Sequence, residues 1–105
     1  MNNMQKFLKQ AKKMQDRMQD VEKEIADSVI EIEAAGGAIV INISGDGILQ
    51  SIKINPDIVD KNDVEGLEDL VLTAVNSAIK EAKDYADEKT KEVTGDIKMP
   101  GGFSF

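Results

Sequence analysis

Residues 28–54 read SVIEIEAAGGAIVINISGDGILQSIKI, and the period of this stretch decides the fold. Ile30 and Ile32 alternate with Glu31 and Glu33, then Ile39, Ile41 and Ile43 alternate with Val40 and Asn42, and a third run follows in Ile48, Ile52 and Ile54. Alternation with a period of two places successive side chains on opposite faces of a strand, so these runs predict strands with an isoleucine face. Gly36-Gly37 and Gly45-Asp46-Gly47 separate the runs, and glycine tolerates the positive φ that tight hairpin turns demand. The expectation is a three-stranded antiparallel meander. Ala38 and Val40 fall opposite the isoleucines, which predicts a second face that is also apolar along part of its length and would stay wet in a monomer with helices on one side only.

Working outward, the segment before the strands has a helical period. Phe7, Ala11, Met14, Met18, Val21 and Ile25 recur at alternating steps of four and three, predicting a helix from Met4 to Ile25 with one apolar stripe that also takes in Met4 and Leu8. At about 100° per residue, Lys6, Lys9, Lys13 and Arg17 gather on the opposite side. Such a helix is longer than a small sheet needs as cover, so part of it is expected to project.

Beyond the strands, Asn55-Pro56-Asp57 has the composition of a helix start and predicts a short turn through Asp60. Asn62 and Glu65 then have capping-box spacing ahead of Leu67, Leu70, Val71, Ala74, Val75, Ala78, Ile79, Ala82 and Tyr85, which predicts a second long helix to about Glu92. From Thr94 the glycines, Pro100 and absence of any period predict a flexible tail. The fold class is α+β: long N-terminal helix, three-stranded antiparallel meander, short helical turn, long C-terminal helix, with residues 1–93 as one domain and 94–105 as the tail.

Composition narrows the chemistry. The 105 residues include no Cys and no His, which excludes disulfides, thiolate metal sites, cysteine nucleophiles and the side chain best suited to proton transfer near neutral pH. Asp57, Asp60, Asp63 and Glu65 lack the ligand spacing and central glycine of a calcium loop. Gly45-Asp46-Gly47 joins two strands without the helix, Lys or Ser/Thr of a phosphate loop. Glu31 and Glu33 share a strand face with no nucleophile beside them. No catalytic residue, metal or cofactor is expected. The charged opening residues argue against a secretory signal, and no apolar run spans a membrane, which points to the cytoplasm.

The charge is unevenly spread. Residues 1–18 hold Lys6, Lys9, Lys12, Lys13 and Arg17 against Asp16 alone, a local +4; since the whole chain carries −7, the other 87 residues carry −11. The asymmetry suggests a basic arm on an acidic body; the net charge of −7 opposes approach to a polyanion, and on charge alone an ordinary solvated helix face accounts for the lysines equally well. With Phe7 on the apolar stripe, the arm has no aromatic platform for single strands, so duplex is the favoured partner.

The ordered set MQKFLKQAKKMQDRM (residues 4–18), Ala35-Gly36-Gly37, Gly45-Asp46-Gly47, Ile52-Lys53-Ile54-Asn55-Pro56, Leu67-Glu68-Asp69-Leu70, Ala74-Val75-Asn76-Ser77-Ala78 and Met99-Pro100-Gly101-Gly102-Phe103 resembles the YbaB/EbfC family of bacterial nucleoid-associated proteins across nearly the whole chain. That resemblance implies a homodimer whose helical segments project as a tweezer-like pair gripping double-stranded DNA, with the nucleoid as its location. Lys6, Lys9, Lys12, Lys13 and Arg17 are the expected phosphate contacts, with Lys89 and Lys91 as further candidates; Phe7, Met14, Met18, Val21 and Val40 are expected at the dimer interface. A competing reading is an acidic protein-binding adaptor or chaperone-like module that holds an unidentified protein partner on its Met-rich stripe.

Overall fold

The computed structural model describes residues 2–95. Its order is helix α1 (Asn2–Asp27), strand β1 (Val29–Ala34), a 3-10 turn (Ala35–Gly37), β2 (Ile39–Ser44), β3 (Leu49–Ile54), a second 3-10 turn (Pro56–Ile58) and helix α2 (Val64–Gly95). The three strands form one antiparallel sheet in the order β1-β2-β3. This is the α+β arrangement expected from the alternating periods. Its helices run somewhat past their expected ends, as apolar patterning marks the packed part of a helix better than its caps.

The register joins the isoleucines into one face. Ile30 pairs with Ile43, Ile32 with Ile41 and Ala34 with Ile39 on one side of β2, while Ile54 pairs with Ile39 and Ile52 with Ile41 on the other. Ala74, Ala78 and Ala82, one helical turn apart, bring α2 onto this face, and Ile39, Ile41 and Ile43 are fully shielded from water. Small side chains on the helix let its axis approach the large ones on the sheet, which shields the β2 isoleucines while Ile52 on β3 stays partly exposed.

The opposite face corrects an expectation. Glu33 and Lys53 flank Val40 in register, and Glu31 and Ser51 flank Asn42, whose amide donates to Ser51 Oγ at 3.1 Å. Ala38 sits in the turn, outside β2. Alternation in the two outer strands puts polar residues beside Val40 and Asn42 on this side, so its apolar surface reduces to half-buried Val40 and exposed Val29, which pairs with Ser44.

Two details of α2 also differ from the sequence reading. Its first turn is capped by Asp63, which accepts from the Gly66 amide at 3.1 Å; Asn62 instead gives its own amide to Asp60 Oδ1 at 2.9 Å. At the other end the helix passes through Thr94 and Gly95, where Thr94 Oγ1 donates back to the Thr90 carbonyl at 3.2 Å and buried Val93 gives the last turn something to pack. The expected tail thus begins with two helical residues, and its remainder, 96–105, lies outside the described residues.

Candidate nucleic-acid interface

α1 divides into an anchored and a projecting half. Exposure follows the split: every residue from Asn3 to Lys13 is exposed, Met14, Met18 and Val21 are half-buried, and Ile25 is buried. The anchored half meets α2 through two polar rungs. Lys89 Nζ donates to Glu24 Oε1 at 3.0 Å, and the Ser28 and Tyr85 hydroxyls lie 2.7 Å apart. Ser28 Oγ already donates to the Glu24 carbonyl at 2.7 Å, and a hydroxyl carries a single proton, so Tyr85 is the donor in the second rung.

These rungs fix the relation between the helices. Moving forward from Glu24 to Ser28 on α1 means moving back from Lys89 to Tyr85 on α2, so the two run antiparallel. Continuing that register puts Met18 beside the last residue of α2, and residues 2–17, about 24 Å of helix, have no α2 turn alongside them among the described residues. The overall dimensions agree: about 48 Å of α2 and the projection together account for a long axis of 74 Å.

The projection carries the basic residues. Lys6, Lys9, Lys12, Lys13 and Arg17 are all exposed, and none of the four lysines forms an ion pair among the described residues. No acidic side chain in the first turn offsets the positive end of the helix dipole. The arm is therefore a positively charged rod, held away from an acidic body. Its other side is apolar and equally uncovered, with Met4 and Phe7 each 65% exposed and Leu8 59% exposed.

The two candidates on α2 part company. Lys91 is exposed and lies about 200° round the helix from Lys89, on the side away from α1. Lys89 is drawn into the joint: besides Glu24 it has Glu92 Oε2 at 3.9 Å and sits 5.8 Å from the centre of the Tyr85 ring. The hydrogen bond to Glu24, then the negative charges of Glu24 and Glu92, hold its ammonium above the ordinary lysine pKa. Sequence patterning does not single out Glu24, Ser28 or Tyr85 as site residues. Tyr85, with its hydroxyl at the end of an apolar stripe, is the one available hint, since such a group seeks a polar partner when it packs.

Among the expected interface residues, Met14, Met18 and Val21 line the side of α1 that begins to pack, Phe7 lies on the uncovered stripe, and Val40 is remote from both, on the outer sheet face. A further apolar surface lies on α2, where Leu67, Val71, Leu72 and Val75 with Glu68 line an open groove of about 440 Å³. Glu31 and Glu33 are exposed, and among the described residues no three acidic side chains converge to hold a metal ion. No described helix is long and apolar enough to cross a membrane.

The sequence profile of the YbaB/EbfC DNA-binding family matches residues 1–97. A nucleoid-associated protein of Clostridium kluyveri is 44% identical over 101 residues, covering 96% of this chain and 89% of that one. Another nucleoid-associated protein, from Chloroflexus aggregans, is 42% identical over 96 residues, covering 91% of this chain and 96% of its own length. The crystal structure of an uncharacterized Helicobacter pylori protein shares the fold at a TM-score of 0.61 and 18% identity, over 74% of this chain and 90% of that one.

Proposed function

Because the chain belongs to the YbaB/EbfC DNA-binding family, we propose that it is a nucleoid-associated protein whose homodimer grips double-stranded DNA between paired α1 arms, with little regard for base sequence. The observation that carries this reading is the projecting half of α1, with Lys6, Lys9, Lys12, Lys13 and Arg17 all exposed to solvent on a segment that α2 does not cover. Lysine and arginine on such a rod displace condensed counterions from phosphates, which gives affinity without reading bases. Lys91 adds a further exposed cation. The protein acts in the cytoplasm, on the nucleoid, and no side chain is assigned a catalytic role.

Dimerisation has its own support. The radius of gyration is 20.2 Å, against about 13 Å for a compact chain of this length, so one copy leaves much of its surface without an interior. Pairing along the stripe of Phe7, Met14, Met18 and Val21, with Val40 as an outlying contact, covers apolar surface that a monomer exposes.

A dimer then presents ten arm cations. If half meet phosphates, the logarithm of affinity falls against the logarithm of salt concentration with a slope of about −4 to −5. The test is a mobility-shift series on random duplex across salt. Reversal of Lys9, Lys13 and Arg17 to Glu is expected to abolish retardation at low salt while sedimentation still reports the dimer; unchanged retardation rejects this face. The groove at Leu67, Val71, Leu72 and Val75 favours a second reading, an acidic adaptor for a protein partner. That reading requires salt-tolerant capture of a polypeptide and no duplex binding.

A further inference from the structure

We propose that Glu24, Ser28, Tyr85 and Lys89 form a strut that sets the direction and roll of the basic arm, so that Lys89 serves DNA binding by positioning α1 and not by touching phosphate. The DNA part of this statement rests on the function proposed above; the strut itself does not.

The geometry gives the strut two degrees of control. Its rungs, Glu24 to Lys89 at 3.0 Å and Ser28 to Tyr85 at 2.7 Å, are one turn apart on each helix, so together they resist a change in the crossing angle that either alone would permit. Glu24 also lies on the same line of α1 as the cations. It is separated from Lys6, Lys13 and Arg17 by 18, 11 and 7 residues, each within about 20° of a whole number of turns. Holding Glu24 against α2 therefore fixes the roll of the basic stripe itself. Nearer the tip, Met14, Met18 and Val21 add only half-buried packing, and residues 3–13 are exposed throughout. The projection works as a lever: a small rotation at Glu24 is carried over about 27 Å to Lys6.

Lys89 is poorly placed for a phosphate contact. Its ammonium is shared between two carboxylates beside an aromatic ring, and its side chain is 27% exposed. To reach phosphate it would have to abandon Glu24 and undo the joint. The same contacts are those a positioning group needs.

Glu24→Gln and Lys89→Gln separate the two roles, because a phosphate contact and a strut predict opposite effects for the glutamate. A strut predicts that both variants weaken duplex binding several-fold at fixed ionic strength with the salt slope unchanged, and that Lys89→Arg and the exchanged pair Glu24→Lys with Lys89→Glu recover it. A phosphate contact predicts that Glu24→Gln binds as well as the parent or better, and that Lys89→Gln makes the slope shallower by about 0.9 for each phosphate no longer neutralised. Tyr85→Phe removes only a hydroxyl and tests the second rung without disturbing the first.

The arm's position is read without DNA. The chain has no Cys, so Gln10→Cys and Asn76→Cys accept spin labels at unique sites, and mixing with unlabelled protein isolates distances within one subunit. Glu24→Gln, Lys89→Gln and Tyr85→Phe are each expected to broaden or shift the distance distribution while circular dichroism keeps its helical signal. Unaltered distances in all three overturn the strut. Altered distances in a protein that ignores duplex uphold the strut and remove the DNA-binding purpose proposed for it.

Discussion

At the scale of single residues, the base of the arm depends on the absence of a side chain. Gly45 opens the turn between β2 and β3, and its amide donates to the Ser28 carbonyl at 3.1 Å, stitching the turn to the end of α1. A Cβ at this position would collide with the carbonyl oxygen of Ile25, a backbone atom that cannot swing aside. Gly45→Ala is therefore expected to cost about 1 to 3 kcal/mol, the range for overpacking a tight contact. Thermal melting checks this, and a loss below the resolution of the melt would show that the last turn of α1 moves freely against the sheet. Gly47, in the same turn, has a different reason to be glycine. Its φ of 91° lies in the left-handed region, and a Cβ there would meet nothing. In the sequence the two glycines look alike as turn residues, and only the packing separates conformational need from lack of space.

At the scale of elements, what the sequence displays is periodicity, and what it conceals is which polar residue meets which. The stripe from Phe7 to Ile25, the alternating isoleucines and the alanine-lined face of α2 are repeats of one apolar choice, and repeats survive any single exception. The strut has no such redundancy. Glu24 and Lys89 are 65 residues apart, and each sits among other charged residues that look equally suitable. The helix start shows the same limit on a smaller scale. Asn62 and Asp63 are both competent caps, and the choice falls to Asp63 because it directly precedes the first helical residue, Val64, which brings its carboxylate to the Gly66 amide. Asp63→Ala is expected to cost about 1 kcal/mol, as for other lost N-caps, and Asn62→Ala much less. Denaturant titration of the two variants distinguishes them; equal losses would mean that the cap is shared. The Lys89 rung has a pH signature as well. Its ammonium is held above the ordinary value of 10.5 by the bond to Glu24, so its contribution is complete below that value and is lost only as pH rises through the still higher folded-state pKa. The arm is accordingly expected to keep its angle across the neutral range and to loosen in strong alkali, which the spin-label distances would report.

At the scale of the whole molecule, charge and apolar surface sit on the same rod and have to be satisfied by different partners. The basic line of α1 calls for a polyanion, and the stripe on its other side, with Met4, Phe7 and Leu8 well over half exposed, calls for apolar cover. One subunit can supply neither, because its acidic remainder lies beyond the base of the arm and its core is already closed by α2. In the homodimer proposed above, subunit pairing and DNA binding are therefore coupled in number. Each subunit that leaves the complex takes five arm cations with it. Phe7→Ser with Met18→Ser is expected to shift sedimentation from dimer toward monomer, and the salt slope should fall with it to about half of its parent value, since each free subunit brings half the cations. A slope that halves while the dimer persists would mean that these residues shape the arm without joining the subunits. A dimer that dissociates while the slope stays whole would place the phosphate contacts away from α1, and the basic projection would lose its assigned purpose.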